Sequence, residues 1–194
     1  MKNIIKNTLL ATGIAVLSTA AFAADYTIDS NSAGAHAQID VAVSHLGISY
    51  AKGRFNSFEG TFSYDKDQPN ASKVSVSIDT SSYDSNHAKR DKHVQSGDFL
   101  DVAKYPKATF ESTNIADKGD NMLSVTGDFT LHGKTQSITF AAKKLGEGTD
   151  PWGGYRAGFE GSSAMKFSDF GIDAMKKIGT DQFKVSFFIE GVRK

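Results

Sequence analysis

The chain has 194 residues and no cysteine, and its basic and acidic side chains balance at 22 each. The absence of cysteine excludes disulfide bonds and cysteine-based catalysis, so stability must come from packing. No long run of one charge occurs, which argues against a nucleic-acid-binding surface.

The N-terminus has the features of a cleavable export signal. Lys2 and Lys6 give a basic start, residues 14–17 lie in an apolar run, and Ala21-Phe22-Ala23 fits the small-x-small pattern that precedes signal cleavage. The apolar run is shorter than the roughly 20 residues that a membrane-spanning helix needs. We therefore expect cleavage of residues 1–23 and an exported domain over residues 24–194, a length that suits one domain.

Beyond the signal, most of the chain alternates apolar and polar residues, which is the period of a strand with one buried face. Ala35, Ala37, Ile39, Val41 and Val43 are the first clear example. The same pattern, in stronger or weaker form, recurs along the chain. In chain order the predicted strands cover residues 25–31, 35–43, 53–64, 74–78, 107–115, 123–131, 135–144, 155–168 and 183–189.

Two short segments predict chain reversals. His132-Gly133-Lys134 indicates a tight hairpin, and residues 150–154, Asp-Pro-Trp-Gly-Gly, mark a second turn, because proline fixes φ and glycine accepts positive φ. Many strands joined by short turns pair in antiparallel fashion. About eight of them in one domain favour an all-β, closed antiparallel barrel, which leaves no exposed sheet edge; a β-sandwich is the alternative.

The sequence leaves the barrel interior open to two interpretations. Phenylalanine occurs 14 times, tryptophan once and glycine 18 times. Phenylalanine either packs a core or lines a cavity, and glycine permits bends and close strand crossings. An eight-stranded barrel is near the size at which side chains fill the interior or leave room for one small ligand.

Residues 86–106 differ from the rest of the chain because they are charged and have helical spacing. They predict a short helix over residues 86–95, with Asn86 as the N-cap residue. We expect the segment to cross one end of the barrel, anchored by Phe99 and Tyr105. Its predicted polar network contains four side chains: His87, Arg90, Asp91 and His93.

The same segment contains the main candidates for chemistry. His87 and Asp91 are four residues apart, so on a helix they would share a face and could form a hydrogen-bonded pair or two metal ligands. His93 falls on another side, and no HExxH motif completes a metal site. No GxSxG elbow supports a hydrolase, and Asp169-Phe170-Gly171 lacks the other kinase motifs. We interpret the latter as a turn with Phe170 packed inward.

Five stretches of the sequence carry a family resemblance. They are His45-Leu46-Gly47, NHAKRDKHVQSGDFLDVAKYPKATF at 86–110, GDFTLHGKT at 127–135, DPWGGYRAGFE at 150–160 and DFGI at 169–172. Together they resemble the YceI-like proteins, which are periplasmic and lipocalin-like. The resemblance runs in order through nearly all of the predicted domain. It implies a periplasmic protein with an extended eight-stranded antiparallel barrel around an elongated apolar tunnel.

The resemblance also implies a ligand. The tunnel would hold a polyisoprenoid chain, such as that of an isoprenoid quinone, or another long amphiphile, with no established catalysis. From the residues themselves, which offer at most two local metal ligands, we expect no metal and no obligatory cofactor. A homodimer is compatible with the family. The candidate lining residues are phenylalanines, all of them in predicted strands: Phe55, Phe58, Phe62, Phe110, Phe129, Phe140, Phe159, Phe167, Phe183 and Phe187.

Two other functions remain as alternatives from the sequence. The first is an enzyme acting on a lipid or a quinone, with His87, Asp91 and His93 as acid–base candidates. The second is an interaction protein whose barrel is filled by side chains. An open barrel interior would separate a carrier from the second alternative.

Overall fold

The structure is a computed structural model that describes residues 23–32 and 34–194. The predicted export signal, apart from Ala23, lies outside the described residues, so its cleavage stays a prediction. The strands are β1 (Ala24–Ile28), β2 (Gln38–His45), β3 (Ser49–Phe55), β4 (Phe58–Tyr64), β5 (Lys73–Asp79), β6 (Tyr83–Asp84), β7 (Lys107–Asp117), β8 (Met122–Leu131), β9 (Lys134–Thr149), β10 (Tyr155–Lys166) and β11 (Gln182–Arg193). Helix α1 spans Ala88–Val94, and short 3-10 helices cover Pro69–Ala71, Thr80–Ser82, Phe167–Phe170 and Ala174–Ile178.

The strands form a closed antiparallel barrel with eight strand positions. Strands β1 and β2 lie end to end beside β11, β3 and β4 follow each other along the next position, and β5 and β6 share the third. Strands β7 to β11 complete the ring, and β1 closes it by pairing with both β4 and β11. The predicted fold class is confirmed, and the sandwich alternative is wrong.

Several observed strands differ from the predicted ones. Strand β2 begins at Gln38 rather than at residue 35, and residues 53–64 form two strands instead of one. The break falls at Asn56 and Ser57, whose backbone N–H groups donate to the carbonyl and hydroxyl of Ser82 instead of to a neighbouring strand. The two-residue strand β6 was not predicted, because so short a segment has no visible period.

Both predicted reversals are confirmed. His132 and Gly133 connect β8 to β9 with φ angles of 51° and 72°, which is the geometry of a type I′ turn. In the turn between β9 and β10, the Asp150 carboxylate accepts hydrogen bonds from the N–H groups of Trp152 (2.9 Å) and Gly154 (2.8 Å). Phe170 packs inward, as predicted, and is almost fully buried.

The chain crosses one end of the barrel between β6 and β7. This crossover, residues 85–106, contains α1, which confirms the predicted helical segment. The same end carries the turn between β2 and β3 and the connection from β10 to β11. We call this end the mouth. The opposite end, which contains Tyr64 at the end of β4 and Leu123 near the start of β8, is the base.

Candidate ligand cavity

The barrel encloses an apolar cavity of about 450 Å³ that extends from the mouth towards the base. Ligand pockets in proteins commonly have volumes of about 300–1,000 Å³. Nine of the ten predicted phenylalanines line its wall: Phe55, Phe62, Phe110, Phe129, Phe140, Phe159, Phe167, Phe183 and Phe187. Phe58 is buried but does not line the cavity, and Phe99 of the crossover, which was not in the predicted set, does.

Strand β11 shows why these side chains face inward. Successive strand residues point to opposite faces, so Phe183, Val185 and Phe187 all face the cavity. The next residue, Phe188, points outward and is 44% exposed. The period-2 pattern therefore predicts which residues of β11 face the cavity.

An aromatic cluster closes the base of the cavity. Tyr26 stacks on Phe62 with ring centroids 4.7 Å apart, and Phe159 packs edge-on against both Phe62 (5.5 Å) and Tyr64 (5.3 Å). Burial raises the pKa of Tyr26 above its ordinary value, so this phenol stays neutral at physiological pH. The base therefore consists of packed aromatic rings beneath the cavity.

A cation and a carboxylate lie beside this aromatic cluster. The Lys144 Nζ atom is 4.6 Å from the centre of the Tyr64 ring and 3.2 Å from a Glu147 carboxylate oxygen. Close to the same end, the Ser72 hydroxyl lies in the cavity wall, is buried, and has no hydrogen-bond partner among the described residues. Ser63 and Lys73 also border the cavity here, so this part of the wall carries a small group of polar residues.

The helix at the mouth begins differently from the prediction. His87, not Asn86, is the N-cap residue, and its Nδ1 atom accepts a hydrogen bond from the Arg90 N–H (3.2 Å). Asn86 has a φ of 58°, which is incompatible with the extended conformation of an N-cap residue. The Asn86 N–H instead donates to the Asp84 carboxylate (2.8 Å).

Ser85 joins the charged side chains of the crossover. Arg90 donates from Nε to the Ser85 hydroxyl (2.7 Å) and from Nη2 to the Ser85 carbonyl (2.9 Å). The Asp91 carboxylate accepts from both the hydroxyl and the N–H of Ser85, and the hydroxyl bond is the main reason that the pKa of Asp91 is lowered. Arg90 and Asp91 thus meet through Ser85, a residue that the sequence did not single out.

His93 and the apolar anchors complete this end. The His93 Nε2 atom is 3.5 Å from the Asp98 carboxylate, and the imidazole packs edge-on against Phe99 (4.9 Å between centroids). The Tyr105 ring lies 4.4 Å from that of His132, and the Tyr105 carbonyl accepts a hydrogen bond from the buried Thr80 hydroxyl (2.8 Å). These contacts tie the crossover to the rim of the barrel.

The cavity reaches solvent at the mouth. His45 of β2 and His93 of the crossover both line the cavity and are both exposed. Arg90 also borders the cavity, so three nitrogen-bearing side chains surround the opening. The mouth is therefore polar, whereas the wall beyond it is almost wholly apolar.

A second charged cluster, which was not predicted, lies on the outer face of the barrel. Arg156 donates to Asp150 (2.7 Å), Asp29 (2.8 Å) and Glu190 (2.7 Å). The Arg156 hydrogen bonds lower the pKa of Asp29 and of Asp150. Asp150 and Arg156 lie in one recognisable motif, but nothing local indicates the distant partners Asp29 and Glu190.

The candidates for catalysis do not assemble into one site. The His87 and Asp91 side chains form no hydrogen bond with each other, because each binds a group of the crossover described above. Among residues 23–32 and 34–194, no three His, Asp or Glu side chains come together as metal ligands. In the same residues, no helix is both long and apolar enough to cross a membrane.

Comparison with known proteins agrees with this architecture. The model of the YceI-like domain matches residues 26–191. The chain belongs to the YceI-like family. A UPF0312 protein of Vibrio vulnificus is 51% identical to this YceI-like chain over 193 residues, covering 97% of this chain and 100% of that protein.

Solved structures share the YceI-like barrel. The Campylobacter jejuni YCEI protein is 26% identical, with a TM-score of 0.70, over 78% of this chain and 90% of that one. A polyisoprenoid binding domain from Saccharophagus degradans, implicated in plant cell wall breakdown, is 14% identical, with a TM-score of 0.62, over 89% of this chain and 100% of that one. At this identity the second likeness establishes the fold.

Proposed function

We propose that this YceI-like protein is a periplasmic carrier that holds a polyisoprenoid, such as the tail of an isoprenoid quinone, or a similar long amphiphile. The observation that carries the proposal is the apolar cavity of about 450 Å³ inside the closed barrel. The Saccharophagus degradans domain, which shares the fold, is described as binding polyisoprenoids, and this supports the same ligand class here.

The chemistry of the wall suits such a ligand. A polyisoprenoid chain is branched, uncharged and poorly soluble in water, and each methylene-sized group removed from water contributes about 0.8 kcal/mol. Ten such groups would contribute about 8 kcal/mol before the cost of ordering the ligand is subtracted. The unpaired Ser72 hydroxyl offers one hydrogen bond to a ligand oxygen that reaches the base.

The two alternatives receive less support. An enzyme would need a free base near the reacting atoms. The His87 Nδ1 atom and the Asp91 carboxylate are instead engaged in hydrogen bonds of the crossover, and His93 faces the exposed Asp98. An interaction protein with a filled barrel does not fit an interior that contains a cavity of this size.

The test uses lipid extraction and direct binding. Mass spectrometry of organic extracts should find a long-chain amphiphile in the purified protein, and the lipid-free protein should bind a short-chain isoprenoid quinone. Val185→Phe places a ring in the cavity and should weaken binding by about tenfold or more. Phe188→Ala removes an outward-facing ring from the same strand and should bind like the wild type. A wild-type protein without lipid that also binds no quinone or fatty amphiphile would refute the proposal.

A further inference from the structure

The turn between β2 and β3 displays large apolar side chains at the mouth. Leu46, Ile48 and Tyr50 are 59%, 84% and 68% exposed. Two flanking residues of the same hairpin, Val43 and Ala51, line the cavity. One hairpin therefore carries both exposed apolar side chains at its tip and cavity-lining residues, with His45 between the two groups.

The conformation of the turn gives a second, independent observation. Leu46 and Gly47 have φ angles of 56° and 70°, and the Ile48 N–H donates to the His45 carbonyl (3.0 Å), as in a type I′ turn. Asparagine, aspartate or glycine is favoured at the first central position of such a turn, and a leucine there is strained. Because the Leu46 side chain is also exposed, neither backbone geometry nor burial accounts for a leucine at this position.

We propose that this tip, residues 45–50, docks on a lipid membrane and that the ligand enters the cavity beside it. The inference rests on the proposed function: a polyisoprenoid ligand is almost insoluble in water, so the protein would have to take it up from a membrane. Leucine and isoleucine side chains enter the acyl region of a bilayer, and tyrosine favours the interface with water. The mouth next to the tip would then open towards the lipid source.

The small area of the tip favours a membrane over a protein partner. Stable protein interfaces bury on the order of 1,000 Å² or more, and three side chains on a narrow hairpin cover far less. Shallow insertion into a bilayer needs no complementary surface and is strengthened by each buried apolar group. A lipid surface is therefore the occupant that this tip fits.

The experiment separates loading from binding. The double variant Leu46→Asn and Ile48→Ser keeps a turn-compatible residue at position 46 while removing the two aliphatic side chains of the tip. Trp152→Ser is the matched control, because Trp152 is 82% exposed in a turn at the opposite end of the barrel. Lipid-free proteins are mixed with phosphatidylcholine and phosphatidylglycerol vesicles that contain an isoprenoid quinone, and the rate of quinone extraction is measured. Affinity for the same quinone is measured separately in detergent solution.

We expect the tip variant to extract quinone about tenfold more slowly than the wild type and to lose flotation with vesicles, at unchanged affinity in detergent. Trp152→Ser should match the wild type in each measurement. Equal extraction rates for the tip variant and the wild type would overturn the loading proposal and leave the carrier function standing. Absence of quinone binding in detergent for every protein would refute the carrier function itself. A wild-type dimer that the tip variant separates, with no vesicle binding by either, would make the tip a subunit contact and overturn the proposal.

Discussion

The substitution Val185→Phe tests directly whether the barrel is hollow. Val185 is half-buried on β11 and faces the cavity between Phe183 and Phe187. In a filled core, a larger side chain costs about 1–3 kcal/mol because its neighbours must move. In the cavity, phenylalanine adds four side-chain carbon atoms relative to valine; burying them contributes roughly 3 kcal/mol at about 0.8 kcal/mol each, and ordering the ring costs about 1 kcal/mol. We expect the free energy of unfolding to increase by about 2 kcal/mol in the lipid-free protein.

The assay is equilibrium unfolding in urea. Bound lipid is first removed by unfolding and refolding the protein, and no disulfide has to re-form because the chain has no cysteine. Ala157→Leu is the matched control. Ala157 is 1% exposed on β10 and does not line the cavity, so the larger residue should destabilise by about 1–3 kcal/mol. If Val185→Phe destabilised the protein as much as this control, the reasoning about a hollow interior would be refuted.

Three further predictions concern the polar clusters and the mouth. Ser85→Ala removes the hydroxyl that joins Arg90 to Asp91, so amide hydrogen exchange over α1 should accelerate while the strands keep their protection. Unchanged exchange would mean that these three side chains do not stabilise the crossover. Arg156→Met should destabilise the protein at neutral pH, because Arg156 holds the pKa values of Asp29 and Asp150 low. That stabilisation is present above the unfolded-state pKa of about 4 and is lost as the pH falls through the lower folded values, so the two urea curves should converge in acid. Leu46→Asn should raise the free energy of unfolding by about 0.5–1 kcal/mol, since asparagine tolerates the left-handed conformation; a loss of stability would contradict the strain at this turn.

Local sequence patterns predicted the strand faces and the turns, which depend mainly on neighbours in the chain, but not the start of the helix. The alternation over residues 183–189 predicted both a strand and its inward face, because the side-chain period of a strand is two. His132-Gly133 predicted its turn, because that geometry needs positive φ at both positions. The predicted N-cap of the helix was wrong by one residue. An N-cap depends on backbone angles, and the identity of a residue as Asn or His does not determine them.

The sequence by itself determined that the chain contains antiparallel strands of one period, closed by a charged helical crossover, with enough phenylalanine to fill or line a barrel. Only the tertiary structure decided that the interior is hollow, because a cavity is the difference between the barrel volume and the summed side chains of all eight strand positions. The same holds for Phe58, which is buried away from the cavity although it has the pattern of its neighbours on β4. It also holds for Arg156, whose partner Asp29 is 127 positions away and is brought near only when the barrel closes.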